Sequence, residues 1–112
     1  MLIKRRLLLL ATAMSTTLAL AATGPYDESA DAQPDVQRAF ETAAKSPRPV
    51  LVIFGANWCG DCRALDTALK VPATAELMAK EFVVVKVDVG NFDRHLDIAE
   101  RYGNAIKKGI PA

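Results

Sequence analysis

The chain has 112 residues, and its 14 basic and 13 acidic side chains give a formal net charge of +1. This length has room for one domain and no more. Without its first 21 residues the chain has 11 basic and 13 acidic side chains, a net charge of −2. That balance argues against nucleic acid as a partner, because nucleic-acid binding selects a basic surface.

Residues 1–21 have the pattern of a secretory signal peptide. Lys4, Arg5 and Arg6 precede a mostly apolar segment over residues 7–20, and Ala19-Leu20-Ala21 offers the small residues that a signal peptidase accepts. Retention as a membrane anchor is the alternative, although the segment is shorter than the ~20 residues of a spanning helix. We therefore expect export to a bacterial periplasm, or tethering to the outer face of the inner membrane if the segment is retained.

The rest of the chain divides into a short lead-in and one domain. Residues 22–33 are small, polar and acidic, which predicts a flexible lead-in whose Asp27, Glu28 and Asp31 are solvated. Over residues 34–112, apolar periodicity and β-branched runs alternate. They predict a helix over 34–45, a strand over 50–54, helices over 60–70 and 74–80, a strand over 82–88 and a helix over 93–102. This order is typical of an α/β fold with parallel strands flanked by helices.

Helical periodicity also predicts the side chains that face the core. They are Val36, Phe40 and Ala44 in the first helix, Ala64, Leu65, Ala68 and Leu69 in the second, Leu77 and Met78 in the third, and Leu96, Ala99 and Tyr102 in the fourth. Pro34 suits a first helical position, and Gly103 suits the residue that follows a helix. Two strands that are apolar on both faces do not complete a sheet, so we expect further elements from a longer chain or from another chain.

Two cysteines stand where the first predicted strand gives way to the next helix, in Trp58-Cys59-Gly60-Asp61-Cys62. Parallel sheets deliver reactive groups at this end of a strand. The free N–H groups and the dipole of the helix start favour a thiolate, so the pKa of Cys59 is expected to fall. Cys62 lies one turn further on and can attack a mixed disulfide formed by Cys59. The pair is therefore predicted to be a redox-active dithiol.

Other interpretations of the cysteine pair are weaker. A zinc site needs two more Cys or His ligands, and His95 is the sole histidine of the chain, so no metal is expected. A structural disulfide that closes so short a loop would stabilise the fold little. His95 is interpreted as a solvated helix residue, and Asp88 as a strand-end cap in preference to a site carboxylate. Trp58 is expected to shield the nucleophile, to pack beside it, or both.

The motifs together resemble the thioredoxin superfamily. The matching segments are residues 50–54, the Ala-Asn-Trp-Cys-Gly-Asp-Cys of 56–62, the Val-Val-Lys-Val-Asp-Val of 84–89 and the Gly-Ile-Pro of 109–111. The resemblance implies that Pro111 is the cis-proline that lies against the dithiol and helps to bind the partner's backbone. It also implies a C-terminal hairpin and a last helix, which are missing from this chain, so the domain is expected to be incomplete.

The chain departs from the family pattern around the dithiol. Gly60 and Asp61 stand where general reductants have Gly-Pro, and the Asp61 carboxylate is expected to raise the pKa of the neighbouring thiol. The family's buried acid aligns with Ile53, which cannot ionise, whereas Lys86 matches the lysine that accompanies that acid. The usual proton acceptor for Cys62 is therefore absent, and Asp61 or water is the hypothesised substitute.

These features predict a thiol–disulfide oxidoreductase that needs no cofactor. Its partners would be protein disulfides or dithiols, together with an unidentified electron donor. Reduction of partners is expected over oxidation, because a less stabilised thiolate accompanies a more reducing pair. The alternative is a non-catalytic, chaperone-like module that grips extended peptides near Pro111.

Overall fold

The computed structural model describes residues 13–16 and 24–112. Its elements, in chain order, are α1 (Ala32–Lys45), β1 (Val50–Gly55), α2 (Gly60–Leu69), α3 (Pro72–Glu81), β2 (Val83–Asp88) and α4 (Leu96–Arg101). The two strands pair in parallel, with Val50 opposite Val83 and Gly55 opposite Asp88. Each predicted element is present, and the predicted α/β fold with parallel strands is confirmed.

Helices cover both faces of the sheet. One face carries the apolar core, which α1, α4 and the chain after α4 complete; its buried members include Val36, Phe54, Val87, Ile98 and Ile106. The opposite face lies under α2 and α3. Alternate residues of a strand point to opposite faces, so Ile53 and Lys86, which are partners in the register, both belong to this second face. The cysteines lie at its end.

Helix α1 begins two residues earlier than the sequence predicted. Asp31 is its N-cap, and the Asp31 carboxylate accepts a hydrogen bond from Gln33 N at 3.1 Å. This satisfies one of the backbone N–H groups that a helix start leaves free. Pro34 is therefore the third helical residue instead of the first, still within the first turn, where its missing N–H is tolerated.

Several predicted core positions are wrong because the inward faces of α1, α2 and α4 are rotated relative to the predicted ones, and α3 has no fully buried residue. In α1 the buried residues are Ala32, Val36 and Ala39, whereas Phe40 and Ala44 are exposed and Phe40 stacks on Tyr102. Longer apolar side chains at the edge of a stripe can cover a neighbour without being buried. The same correction applies elsewhere: the exposed residues also include Ala64, Ala68, Leu77, Leu96 and Tyr102.

The end of α4 follows the sequence prediction. Gly103 has φ +75° and donates its N–H to Glu100 O at 3.1 Å. A residue in this left-handed conformation directly after a helix is usually glycine, since glycine has no Cβ to clash. The chain then returns to β1, where Ala112 and Phe54 exchange two backbone hydrogen bonds of 2.8 and 3.1 Å.

The N-terminal predictions have different outcomes. Most of the predicted signal peptide lies outside the described residues. Within the part of the chain that the structure describes, no helix has the length and apolar character needed to span a bilayer. Residues 24–33, which the sequence predicts as a lead-in, include the N-cap and the first two residues of α1, and Tyr26 among them is buried against the cysteines.

Candidate active site

Cys59 and Cys62 form a disulfide with a Cα–Cα distance of 5.2 Å. Strand β1 ends at Gly55, a short turn closes with Cys59 N donating to Ala56 O at 3.2 Å, and α2 starts at Gly60. Cys59 is the N-cap of α2, and its sulfur accepts a hydrogen bond from Cys62 N at 3.1 Å. A backbone N–H in this position also stabilises a thiolate after reduction.

The two sulfurs differ in their surroundings. Cys59 is 6% exposed and Cys62 only 1%, so a partner reaches Cys59 first. Gly60 and Asp61 occupy the first turn of α2, and the Asp61 side chain is exposed. A carboxylate there interacts favourably with the helix dipole and lies on the surface that a partner would meet.

Trp58 and Phe92 form an aromatic patch beside the disulfide. The Trp58 side chain is 54% exposed, its ring meets that of Phe92 edge to face at 6.0 Å, and its indole N–H donates to Gly90 O at 2.8 Å. The hydrogen bond fixes the ring, while its exposed part remains open to solvent. Trp58 thus has both a packing role and an accessible apolar face.

The segment that contains Pro111 runs past the cysteines, and Ile110 is the residue that contacts them. The Ile110–Pro111 peptide bond is cis. Ile110 packs against the buried cluster that contains both cysteines, and the Ile110 carbonyl oxygen is 3.7 Å from Cys59 Sγ. The hydrogen bonds between Ala112 and Phe54 hold this segment against β1.

Tyr26 is a site residue that sequence reasoning missed. Its side chain is 3% exposed and forms one buried cluster with Cys59 and Cys62. Burial raises the pKa of Tyr26 to about 12, and the carboxylates of Asp66 and Asp88 act in the same direction. No motif surrounds Tyr26, so the available signal was a lone aromatic residue in a polar segment.

Asn57 ties the Tyr26 segment to the active-site turn. Its buried side chain accepts a hydrogen bond from Tyr26 N and donates one to Tyr26 O, both at 2.8 Å, and it also donates to Glu28 at 3.1 Å. Arg94 adds a second attachment by donating to the backbone carbonyls of Glu28 and Ala30. The segment therefore forms part of the wall around the disulfide.

Asp66 is the second missed residue. It is 9% exposed, it forms an ion pair with Lys86, and its other oxygen lies 2.7 Å from Lys70 Nζ. The sequence prediction placed Lys86 at the site without a partner acid, because Ile53 stands at the family's acid position. The acid comes from α2 instead. Its signal was the four-residue spacing from Cys62, which puts both residues on one helix face.

Asp88 and His95 are supporting residues. Asp88 accepts a hydrogen bond from Gly90 N at 3.2 Å and pairs with Arg94 at 3.0 Å, as expected of a strand-end cap. His95 precedes α4 and is half-buried, so its interpretation as a solvated helix residue is wrong. Its Nε2 accepts from Ala32 N at 3.1 Å, so Nδ1 carries the proton and donates to Asp88 O at 2.6 Å.

Among the described residues, no group of three or more His, Cys, Asp or Glu side chains could hold a metal ion.

A thioredoxin-like family model matches residues 31–112. The crystal structure of a disulphide isomerase from Xylella fastidiosa Temecula1 superposes with a TM-score of 0.78 at 50% identity, covering 81% of this chain and 70% of that one. A thioredoxin of Allochromatium vinosum is 35% identical over 71 residues, which are 63% of this chain and 59% of the relative. Protein disulfide isomerase-like 2-2 of Oryza sativa subsp. japonica is 30% identical over 100 residues, 88% of this chain and 26% of the relative.

The chain spans less than two thirds of the length of these two curated relatives. The range matched by the family model nevertheless spans the positions of both cysteines, Asp66, Lys86 and Pro111. From the family match, the fold and the placement of the cysteine pair, the chain belongs to the thioredoxin-like family.

Proposed function

We propose that this protein is a thiol–disulfide oxidoreductase that acts on protein disulfides through Cys59 and Cys62. The observation that carries the proposal is the disulfide at the N-terminus of α2, with Cys59 capping the helix and the segment containing Pro111 beside it. Relatives named thioredoxin and disulphide isomerase support the same chemistry.

The geometry supports a two-step exchange. In the first step the Cys59 thiolate attacks one sulfur of a partner disulfide, and the partner's other sulfur leaves as a thiolate. In the second step Cys62 attacks Cys59, which restores the enzyme disulfide and releases the reduced partner. The exposed face of Trp58 and the backbone around Pro111 would contact the partner during both steps.

We propose reduction of partners as the working direction. Asp61 adds a negative charge to the first turn of α2, which would oppose the thiolate of Cys59 and favour a more reducing pair. Equilibration with glutathione tests the direction. A reduction potential near that of thioredoxin, about −270 mV, is expected, and one near the oxidant end, about −120 mV, would reverse the assignment.

We also propose that the protein works outside the cytoplasm. The basic start, apolar segment and Ala19-Leu20-Ala21 site of the sequence support export. Mass spectrometry of the protein from a periplasmic fraction is expected to find a chain that begins at Ala22. A chain that keeps its first residues and sediments with membranes would point to the anchored form.

The activity is tested by reduction of insulin disulfides with dithiothreitol as the electron donor. Wild-type protein is expected to accelerate the reaction, and Cys59→Ser is expected to abolish the acceleration. Cys62→Ser is the matched variant, because it keeps the first attack and loses the second. If Cys59→Ser binds partners and works as well as wild type, catalysis is not the function and the peptide-binding alternative is favoured.

A further inference from the structure

The Asp66 carboxylate shares a buried face of α2 with Cys62. The two residues are four positions apart, which makes them neighbours on the helix surface. Both belong to the buried residues of α2, and both line one small cavity together with Tyr26, Ile53 and Lys86. Among the residues that line this cavity, Asp66 is the one carboxylate.

The cavity between Cys62 and Asp66 leaves no space for a water molecule that could accept the proton of Cys62. It is too small to hold a water molecule. Tyr26 closes it from the N-terminal segment and Ile53 from the sheet. A proton that leaves Cys62 towards the protein interior therefore has to go to a protein group.

The surroundings keep Asp66 ionised, which is the form of a carboxyl group that can accept a proton. Burial acts to raise the pKa of Asp66, but the hydrogen bonds and positive charges of Lys70 and Lys86 outweigh it and lower that pKa. The Tyr26 phenol, with a pKa of about 12, is neutral at ordinary pH. Helix α3 presents apolar side chains to the groove it shares with Asp66, namely Ala75, Met78 and Ala79.

We infer that Asp66 accepts the proton of Cys62 when Cys62 resolves the mixed disulfide at Cys59, an inference that rests on the function proposed above. The Cys62 S–H bond breaks and its proton passes to the Asp66 carboxylate. The Cys62 sulfur bonds to Cys59 Sγ, and the bond between Cys59 and the partner's sulfur breaks. The electron pair leaves with the partner as a thiolate, so the two cysteines are oxidised and the protein disulfide is reduced. Asp66 then returns its proton to solvent.

This assignment also explains why Lys86 points towards the inner face of α2. Lys86 is opposite Ile53 in the sheet, where no acid can pair with it. It reaches across to Asp66 instead. The acid and its cation are therefore both present next to Cys62, with the acid supplied by the helix.

The test uses the reduced full chain and 5,5′-dithiobis(2-nitrobenzoate) as the probe. One thionitrobenzoate is released when Cys59 attacks the probe, and a second when Cys62 displaces the first adduct. Asp66→Asn is expected to leave the first release unchanged and to slow the second about 100-fold near neutral pH. The second release should then rise about tenfold per pH unit as the thiol ionises, whereas the wild-type profile is flat.

Two further variants keep the test decisive. Glu76→Gln, an exposed change on α3, is the matched control and should leave both releases unchanged. Lys86→Gln keeps the Asp66 carboxylate but removes one of its two cations, so the pKa of Asp66 should rise. The flat region in the pH profile of the second release should then begin at a higher pH. This variant carries the test if Asp66→Asn does not fold.

Several results would overturn the inference. One is a second release in Asp66→Asn that is as fast as in wild type, and another is an equal slowing of both releases. The third is a pH profile of the second release in Lys86→Gln that coincides with that of wild type. If Asp61→Asn slows the second release and Asp66→Asn does not, the exposed Asp61 carboxylate is the proton acceptor. Absence of the first release in wild-type protein is a different failure, because it contradicts the nucleophilic role of Cys59 and hence the proposed function.

Discussion

The side-chain amide of Asn57 makes two hydrogen bonds with the backbone of Tyr26, each 2.8 Å long: its oxygen accepts from the Tyr26 N–H, and its nitrogen donates to the Tyr26 carbonyl. Asn57 lies in the active-site turn, and Tyr26 lies 31 positions earlier in the chain. The pair therefore connects the segment before α1 to the cysteines. Without it, the buried side of the disulfide would lose one of its walls.

Asn57→Ala removes both of these hydrogen bonds. At about 1 kcal/mol for each bond, the free energy of unfolding should fall by about 2 kcal/mol. The Tyr26 amide should also exchange its hydrogen faster. Urea denaturation and hydrogen exchange measure the two effects, with the exposed change Asn91→Ala as the control. Unchanged protection of the Tyr26 amide would show that other contacts hold the segment.

Gly55→Ala should disturb the same wall from the strand side. A Cβ at Gly55 would overlap the Tyr26 hydroxyl and the ring atom that carries it. We expect a loss of about 1–3 kcal/mol in the free energy of unfolding, typical of overpacking. Gly60→Ala is the matched control for stability, because its Cβ would meet nothing closer than Arg63 at 3.8 Å. Equal unfolding midpoints in urea for the two variants would contradict the placement of Tyr26.

The buried Tyr26 phenol predicts a loss of stability at high pH. Burial raises the pKa of Tyr26 from 10.0 to about 12, so the folded state holds the phenolic proton more tightly than the unfolded state does. Its contribution is therefore fully present below pH 10 and is lost as the pH rises towards 12. Urea denaturation between pH 8 and 11 should show a steeper decline for wild type than for Tyr26→Phe. Parallel declines in the two proteins would show that Tyr26 is not the cause.

The Asp66 carboxylate predicts a loss of stability at low pH, whereas Tyr26 predicts one at high pH. The lysine contacts outweigh burial and hold the pKa of Asp66 below 3.8, so its contribution is present above that value and is lost as the pH falls through the lowered pKa. Denaturation at successively lower pH should show less acid sensitivity in Asp66→Asn than in wild type. The comparison of the two proteins isolates Asp66 from the other carboxylates. Identical acid profiles would mean that the ion pairs do not act on stability.

Local sequence patterns predicted the elements and the cysteine pair because these features depend on neighbours in the chain. The β-branched runs predict β1 and β2, and the position of Cys59 after a strand predicts its place at a helix start. The inward helix faces were harder, as Phe40 shows, because their rotation depends on packing against the whole sheet.

The long-range polar contacts around the cysteines could not be predicted from local sequence patterns. Tyr26 and Asn57 are 31 positions apart, and Asp66 and Lys86 are 20 apart, and no local pattern joins either pair. The missing acid at Ile53 was visible in the sequence, but the ion pair between Lys86 of β2 and Asp66 of α2 depends on how the two elements lie in the fold. Long-range polar contacts of this kind depend on the assembled fold.

The central claim is that Cys59 forms a covalent bond to a partner and Cys62 releases it. Cys62→Ser protein, reduced and mixed with insulin, tests this most directly when the products are analysed by mass spectrometry without a reductant. We predict an adduct linked through Cys59 that dithiothreitol dissolves, and no adduct with Cys59→Ser. Absence of the adduct in Cys62→Ser, or an equal yield in the two variants, would contradict the account.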